Sequence, residues 1–262
     1  MAGMADRTAR VDNQNGRRSL RVATYNVHKC RGMDRRTMPE RVAEVIAELD
    51  ADIVALQEVV AEAADDPAID QLGSMLADLD GYCCCFGENR RLKNGAPYGN
   101  AILSRFPLVG YQNYYLPLTR REQRGCLRGD LELEDGRILH IFNVHLGTGF
   151  MERRHQGSKL LSNEILRHAG LTGPRIVLGD FNEWTKGLTT QLMKQHFQSA
   201  DLRAFTRRRR TYPGVLPLLH LDHVYFDASL ELENFAVHRS RNALIASDHL
   251  PLIATFQVAE KE

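Results

Sequence analysis

Residues 176–182 read IVLGDFN. Three apolar residues run into a glycine, and an acid, an aromatic ring and an amide follow at once. Gly, Asp and Asn are favoured in turns, so a turn alone would account for the segment in isolation. Recurrence decides against that reading. VALQEV ends in Glu58, and strand alternation puts Val54, Leu56 and Glu58 on one side. TYNVH carries Asn26 and His28, and FNVHLG carries Asn143 and His145. LDHVYF opens on Asp222, and SDHLP places Asp248 and His249 just before the last strand pattern. Six strand ends bear Asn, Asp, Glu or His. Burying an unpaired carboxylate costs several kcal/mol, roughly, even after relaxation. One polar cleft where these ends converge accounts for all of them together.

The segments between fit that picture. Strand patterns cover 20–27, 52–60, 82–86, 99–104, 108–115, 126–133, 137–146, 175–180, 221–227, 231–238 and 251–258. Helical spacing covers 39–50, 68–79, 151–169 and 188–196, with Pro39 suited to a first helical position. Asp135-Gly136 signals a hairpin, and hairpins dominate the middle of the chain. A wholly parallel sheet is therefore excluded. The expected fold is α+β: two mixed sheets packed face to face, with helices outside. No linker divides it, so a single domain over 20–259 is expected, after a polar, disordered lead-in at 1–19 without the apolar core of a secretory signal.

Composition narrows the function. The chain has 262 residues and 43% hydrophobic content, enough for a substantial core. Lys and Arg number 34 against 33 Asp and Glu, a net charge of +1. That offers no global case for a dedicated nucleic-acid binder. The one basic run is Arg207–Arg210, read either as a solvated loop or as a contact to phosphate backbone or anionic headgroups. No apolar run is long enough to cross a bilayer. The five cysteines, three of them adjacent, suit neither a disulfide framework nor a zinc knuckle. They read as small hydrophobes in a reducing, cytoplasmic setting. Clustered carboxylates and amides suit a hard cation such as Mg²⁺, with Mn²⁺ as a substitute.

TYNVH, LQEV, YGNAILS, NVHLG, GDFN, LDHVY and SDHLP, in that order, resemble the motifs of the endonuclease/exonuclease/phosphatase superfamily. The resemblance spans about residues 20–258. It implies a four-layer, deoxyribonuclease-like α/β sandwich and metal-dependent hydrolysis of phosphate esters. It also implies roles. Glu58 is the principal metal ligand, assisted by Asn26 and Asp248. Asp180 aligns or deprotonates the attacking water, and Asn182 holds that water or a phosphate oxygen. Asp222 orients His249, whose imidazolium stabilises phosphoryl charge. His145 assists the leaving group or binds the phosphate. Tyr98, Asn100 and Arg124 are candidate substrate contacts.

The reaction expected is attack of water on a phosphodiester, with a small molecule, a lipid headgroup or a nucleic acid as substrate. A DNA or RNA nuclease is the alternative, and a non-catalytic binding protein on the same scaffold is the third reading. No exposed aromatic hairpin of the sphingomyelinase kind is evident, and no obligate protein partner is implied.

Overall fold

The computed structural model describes residues 18–62, 70–116, 121–183, 187–206, 210–214 and 216–258. Strands β1 (Arg18–Asn26), β2 (Ile53–Val60), β3 (Cys83–Arg91) and β4 (Pro97–Ser104) open the first sheet. The second contains β5 (Leu108–Tyr115), β6 (Gly125–Glu132), β7 (Ile138–His145), β8 (Arg175–Asp180), β9 (Gln198–Ser199) and β10 (Asp222–Phe226). The chain then returns to the first sheet through β11 (Leu230–Val237) and β12 (Leu252–Val258). The orders are β11-β12-β1-β2-β4-β3 and β5-β6-β7-β8-β10-β9. Six helices accompany them among the described residues: α1 (Pro39–Leu49), α2 (Gln71–Ala77), α3 (Phe150–Leu160), α4 (Leu188–Lys194), α5 (Leu202–Phe205) and α6 (Ala243–Ala246). This is the expected α+β sandwich of two mixed sheets with helices outside.

Each sheet has one parallel pair near its centre, β1·β2 in the first and β7·β8 in the second. Parallel neighbours need a crossover, which α1 and α3 supply. The carboxyl ends of such pairs are where open sheets present ligand-binding groups. Asn26 and Glu58 stand at or near one such end, and His145 and Asp180 at the other.

The inner core is built from alternate residues of both sheets. Val22, Ile53 and Ile102 of the first meet Leu127, Ile141, Leu178 and Val224 of the second. The alternate residues face outward: Val54 and Leu56 pack with Val42, Val45, Ile46 and Leu49 of α1. Burying each such side chain contributes about 1.5–3 kcal/mol. On the other outer face Phe142, Val177, Phe181 and Tyr225 pack with Leu160 and Met193 of α3 and α4.

Several boundaries differ from the sequence expectation. The first strand begins at Arg18, where Arg18 and Ser19 pair with Val258 and Gln257. Helix α3 stops at Leu160 rather than near 169. The Ser162 hydroxyl accepts from Glu164 N at 3.2 Å, a local turn that competes with continued helix. Strand β3 runs on to Arg91, through polar residues that no apolar pattern marks. The two-residue β9, the short α5 and α6 carry no periodicity and went unpredicted. Of the cysteines, Cys30, Cys85 and Cys126 are buried, but Cys83 is exposed; none is in a disulfide. Burial pushes the Cys30 thiol up to about 12. No helix among the described residues is long and apolar enough to cross a membrane. Residues 1–17 and Arg207–Arg209 lie outside the described residues.

The alternation expected for β2 fails where it matters. Register with β4 shifts between Leu56 and Val59. Glu58 sits in this bulge with φ +60°, a left-handed conformation that a non-glycine residue rarely takes. Val59 therefore rejoins Val54 and Leu56 in the helix-side core, three residues after Leu56 instead of two. Glu58 is thereby freed from their face and meets Asn26 and Lys29 at the carboxyl end of β1.

Candidate active site

Strand β8 delivers Asp180 into the space between the sheets. Gly179 before it has φ +141°, and a Cβ there would lie 1.9 Å from the Val144 carbonyl oxygen. Only glycine lets β8 approach β7 so closely. Phe181 after it turns the other way, with its ring 5.3 Å from that of Tyr225 in the outer core. Asp180 is 1% exposed and fully partnered. Its Oδ1 accepts from the backbone N of Asn182 at 2.8 Å, and its Oδ2 accepts from Asn26 Nδ2 at 3.0 Å. Asn182 has φ +50°, and its own Nδ2 donates to the Leu146 carbonyl at 2.9 Å.

Two histidines flank Oδ2 of Asp180. His145 Nε2 and His249 Nε2 each lie 3.7 Å from it. His249 Nδ1 is 3.0 Å from Asp222 Oδ2, which also accepts from Thr211 Oγ1 at 2.5 Å. Burial works against a charge on His249, but Asp222, Asp180 and Asp248 outweigh it and raise its pKa to about 10. His249 is therefore an imidazolium near neutrality. Burial, reinforced by Asp222 and opposed by His249, lifts Asp180 from 3.8 to about 7. His145 goes the other way: burial first, then Arg124, His249 and Lys29, hold it neutral.

The segment after β1 is also strained. His28, Lys29 and Cys30 all have φ between +48° and +56°. A left-handed turn of three L-residues costs roughly 1–2 kcal/mol per residue. It places Lys29 Nζ 3.4 Å from Glu58 Oε2, and His28 Nδ1 3.2 Å from Asp248 Oδ1. Asn26 Nδ2 reaches Glu58 Oε1 at 3.5 Å. Asn26 thus links the Glu58 and Asp180 carboxylates.

Arg124, 7% exposed, closes the opposite side: its Nη1 lies 2.8 Å from His145 Nε2. Tyr98 is buried beside Val60 and Ala96, with the Arg90 guanidinium 4.6 Å from its ring centre. Asn100 stands apart from the other candidates. It is fully buried and donates to the carbonyls of Gly125 and Asn143 across the sheets, at 3.3 and 3.2 Å. It braces the two sheets beneath the cleft.

The donor set suits a hard divalent cation. Asp180, Asp222 and His249 offer ligand atoms all within 4.8 Å of one another. This group differs from Asn26, Glu58 and Asp248, the ligands implied by motif resemblance. Asp222 Oδ2 and His249 Nδ1 of the triplet already bind each other. The carboxylate oxygens of Glu58 and Asp248 with the Asn26 amide are the harder donors. The buried Asp222 Oδ1 has no hydrogen-bond partner among the described residues.

Some supporting residues escaped sequence reading. Ser247 is fully buried, donates to the Asn26 carbonyl at 2.7 Å and accepts from His249 N at 3.2 Å. Thr211 is likewise buried against Asp222, and the Tyr212 ring centre lies 5.0 Å from that of His249. Ser247 belongs to SDHLP, so the motif itself held the clue. Thr211 follows the arginine run and offers no local signal.

Comparison with known proteins agrees with the fold. The family model described as the Endonuclease/Exonuclease/phosphatase family matches residues 23–249. A protein of Escherichia coli strain K12, YbhP, described as uncharacterized, is 31% identical over 246 residues, covering 90% of this chain and 95% of that one. The crystal structure of an endonuclease/exonuclease/phosphatase from Beutenbergia cavernae superposes with a TM-score of 0.74 at 22% identity, covering 93% of this chain and 72% of that one. A mannosyl-6-phosphatase from Bacteroides thetaiotaomicron superposes with a TM-score of 0.73 at 20% identity, covering 90% and 99%.

Proposed function

The chain belongs to the endonuclease/exonuclease/phosphatase family, and from that premise we propose that it is a Mg²⁺-dependent hydrolase of phosphodiesters. The observation that carries the reading is Asp180: one buried carboxylate held by Asn26 and Asn182 and flanked at 3.7 Å by two histidines of opposite protonation state. In-line hydrolysis needs an oriented water, neutralised phosphoryl oxygens and relief of charge on the leaving oxygen.

Asp180, with its pKa near neutrality, takes the proton of the attacking water. Asn182, positioned through its own backbone, orients that water or a phosphoryl oxygen. His249, kept charged by Asp222, stabilises the developing negative charge. His145 is neutral, so it contributes a hydrogen bond, and the adjacent Arg124 guanidinium supplies the positive charge on that side. Asn26, Glu58 and Asp248 would hold the divalent cation. Bound there, that ion would polarise the phosphoryl group and offset the clustered carboxylates.

Small diesters are favoured over polynucleotides by the nearly balanced charge. The mannosyl-6-phosphatase neighbour keeps monoesters within reach of the same fold. The test is turnover of bis-(p-nitrophenyl) phosphate, DNA, RNA, inositol phosphates and phospholipids with Mg²⁺, Mn²⁺ or chelator. Metal-dependent turnover of small diesters is expected. Cleavage confined to polynucleotides would replace this reading with the nuclease one, and no turnover at all would favour the binding-protein reading.

A further inference from the structure

Beside the catalytic groups lies a cavity of about 540 Å³, lined in part by Asn89, Arg90, Tyr115 and Arg124. Arg90 and Arg124 converge there on one carboxylate. Arg90 Nη2 is 2.5 Å from Glu122 Oε1, and Arg124 Nη2 is 2.7 Å from Glu122 Oε2. Two guanidinium groups thus share one carboxylate, which leaves a positive charge unmatched. Arg91 adds nothing to that balance, since it is paired with Glu88 at 3.1 Å.

Both arginines are only partly used. The Nε–H groups of Arg90 and Arg124 are buried and find no hydrogen-bond partner among the described residues. A guanidinium grips an oxyanion through a fork of parallel N–H bonds, and Glu122 satisfies one prong of each. Leaving a buried donor unpaired is unfavourable. A ligand with more acceptor oxygens than a carboxylate would meet these donors. A phosphate group has them. The clamp is otherwise fixed in place: the Arg90 guanidinium lies over the Tyr98 ring, and Arg124 Nη1 abuts His145. Arg124 therefore spans from the catalytic centre to the clamp. Glu122, by contrast, has a side chain that is 37% exposed, so it can leave the pair without crossing the core.

We propose that the Arg90–Arg124 pair is a subsite for a second phosphate group, carried by the substrate next to the scissile phosphodiester, and that Glu122 fills it until that phosphate displaces the carboxylate. The inference rests on the phosphodiesterase reading and extends it: the preferred substrate bears two neighbouring phosphates. A polynucleotide and a small bisphosphorylated molecule share this chemistry.

The test compares kcat/KM for the p-nitrophenyl ester of thymidine 5′-phosphate with that for the same ester carrying a 3′-phosphate. Bis-(p-nitrophenyl) phosphate serves as reference and oligothymidylate as the polymer arm. A charge-assisted fork predicts a preference of about tenfold for the 3′-phosphorylated ester. Glu122→Gln widens that ratio, and Arg90→Lys, which keeps charge but loses the fork, narrows it. A gain limited to the nucleoside points to a small-molecule substrate, and a further gain on oligothymidylate points to a polynucleotide. A ratio near one in both wild type and Glu122→Gln, or variants that shift all substrates alike, would overturn the subsite while leaving the phosphodiesterase reading intact. Absence of turnover on every ester would instead defeat that reading. The clamp is then judged by calorimetry on Glu122→Gln: tighter binding of thymidine 3′,5′-bisphosphate than of thymidine 5′-phosphate supports it, and equal affinity overturns it.

Discussion

Asp180 Oδ2 and His249 Nε2 face each other at 3.7 Å although they come from different sheets. Asp180 ends β8, and His249 lies just ahead of β12. The contact ties the two sheets together at the cleft and couples the ionisation of the two side chains. Asp222, paired with β8 through β10 and bonded to His249, raises the pKa of both.

That shared dependence gives a pH prediction. Protonation of Asp180 removes the base, so activity should fall as pH drops below about 7. Loss of the proton from His249 removes the charge, so activity should fall again above about 10. Asp222→Asn takes away a charge that raises both groups. Both limbs of the kcat/KM profile should therefore move to lower pH. Limbs that stay in place would show that other groups titrate.

Glu58 predicts metal dependence. If its strained carboxylate holds the cation, Glu58→Gln should raise the Mg²⁺ concentration for half-maximal activity by about tenfold or more, in line with loss of a charged contact. The Mg²⁺-induced rise in Tm should shrink with it. An unchanged Mg²⁺ requirement would remove Glu58 from the metal site.

Thr211 is the cleanest test of the supporting groups. Thr211→Val keeps shape but takes one of two buried donors from Asp222 Oδ2, leaving His249 Nδ1 as the other, a loss of about 1–3 kcal/mol. We expect a lower urea midpoint and a pH profile whose alkaline limb is displaced. Ser247→Ala, which frees the Asn26 carbonyl and His249 N, should lower activity with a similar loss of stability.

Acid stability should report on the outer face of the second sheet. Burial lowers His220 to about 3 and also lowers His223. A depressed histidine favours the folded state fully above its ordinary 6.5, and that contribution is lost as pH falls, completely once it passes about 3 for His220. The urea midpoint of wild type should fall steadily below about pH 6.5, and His220→Gln should fall less steeply. Parallel curves would contradict the assignment.

Much of the site was legible because each strand end repeats one departure from its own pattern. Asn26, Glu58, His145, Asp180, Asp222, Asp248 and His249 break an apolar run with a polar group, and one cleft explains them. What stayed hidden depends on backbone states or distant partners. Alternation put Glu58 on the helix side, since nothing local announces a bulge with φ +60°. The left-handed turn at His28–Cys30 contains no glycine to signal it. Thr211 and Glu122 sit in polar segments that read as solvated loop, and their importance appears only once Asp222, Arg90 and Arg124 are beside them. Asn100, a candidate substrate contact set in a strand, bonds across the sheets to Gly125 and Asn143, which no local pattern announces.

The central claim is that Asp180 is the base of a metal-dependent phosphodiesterase. Its most direct test is hydrolysis of bis-(p-nitrophenyl) phosphate with Mg²⁺ by wild type and Asp180→Asn, with circular dichroism on both. Loss of a general base predicts a fall in kcat of at least about 10²-fold with an unchanged spectrum. Near-normal turnover by the variant would contradict the account.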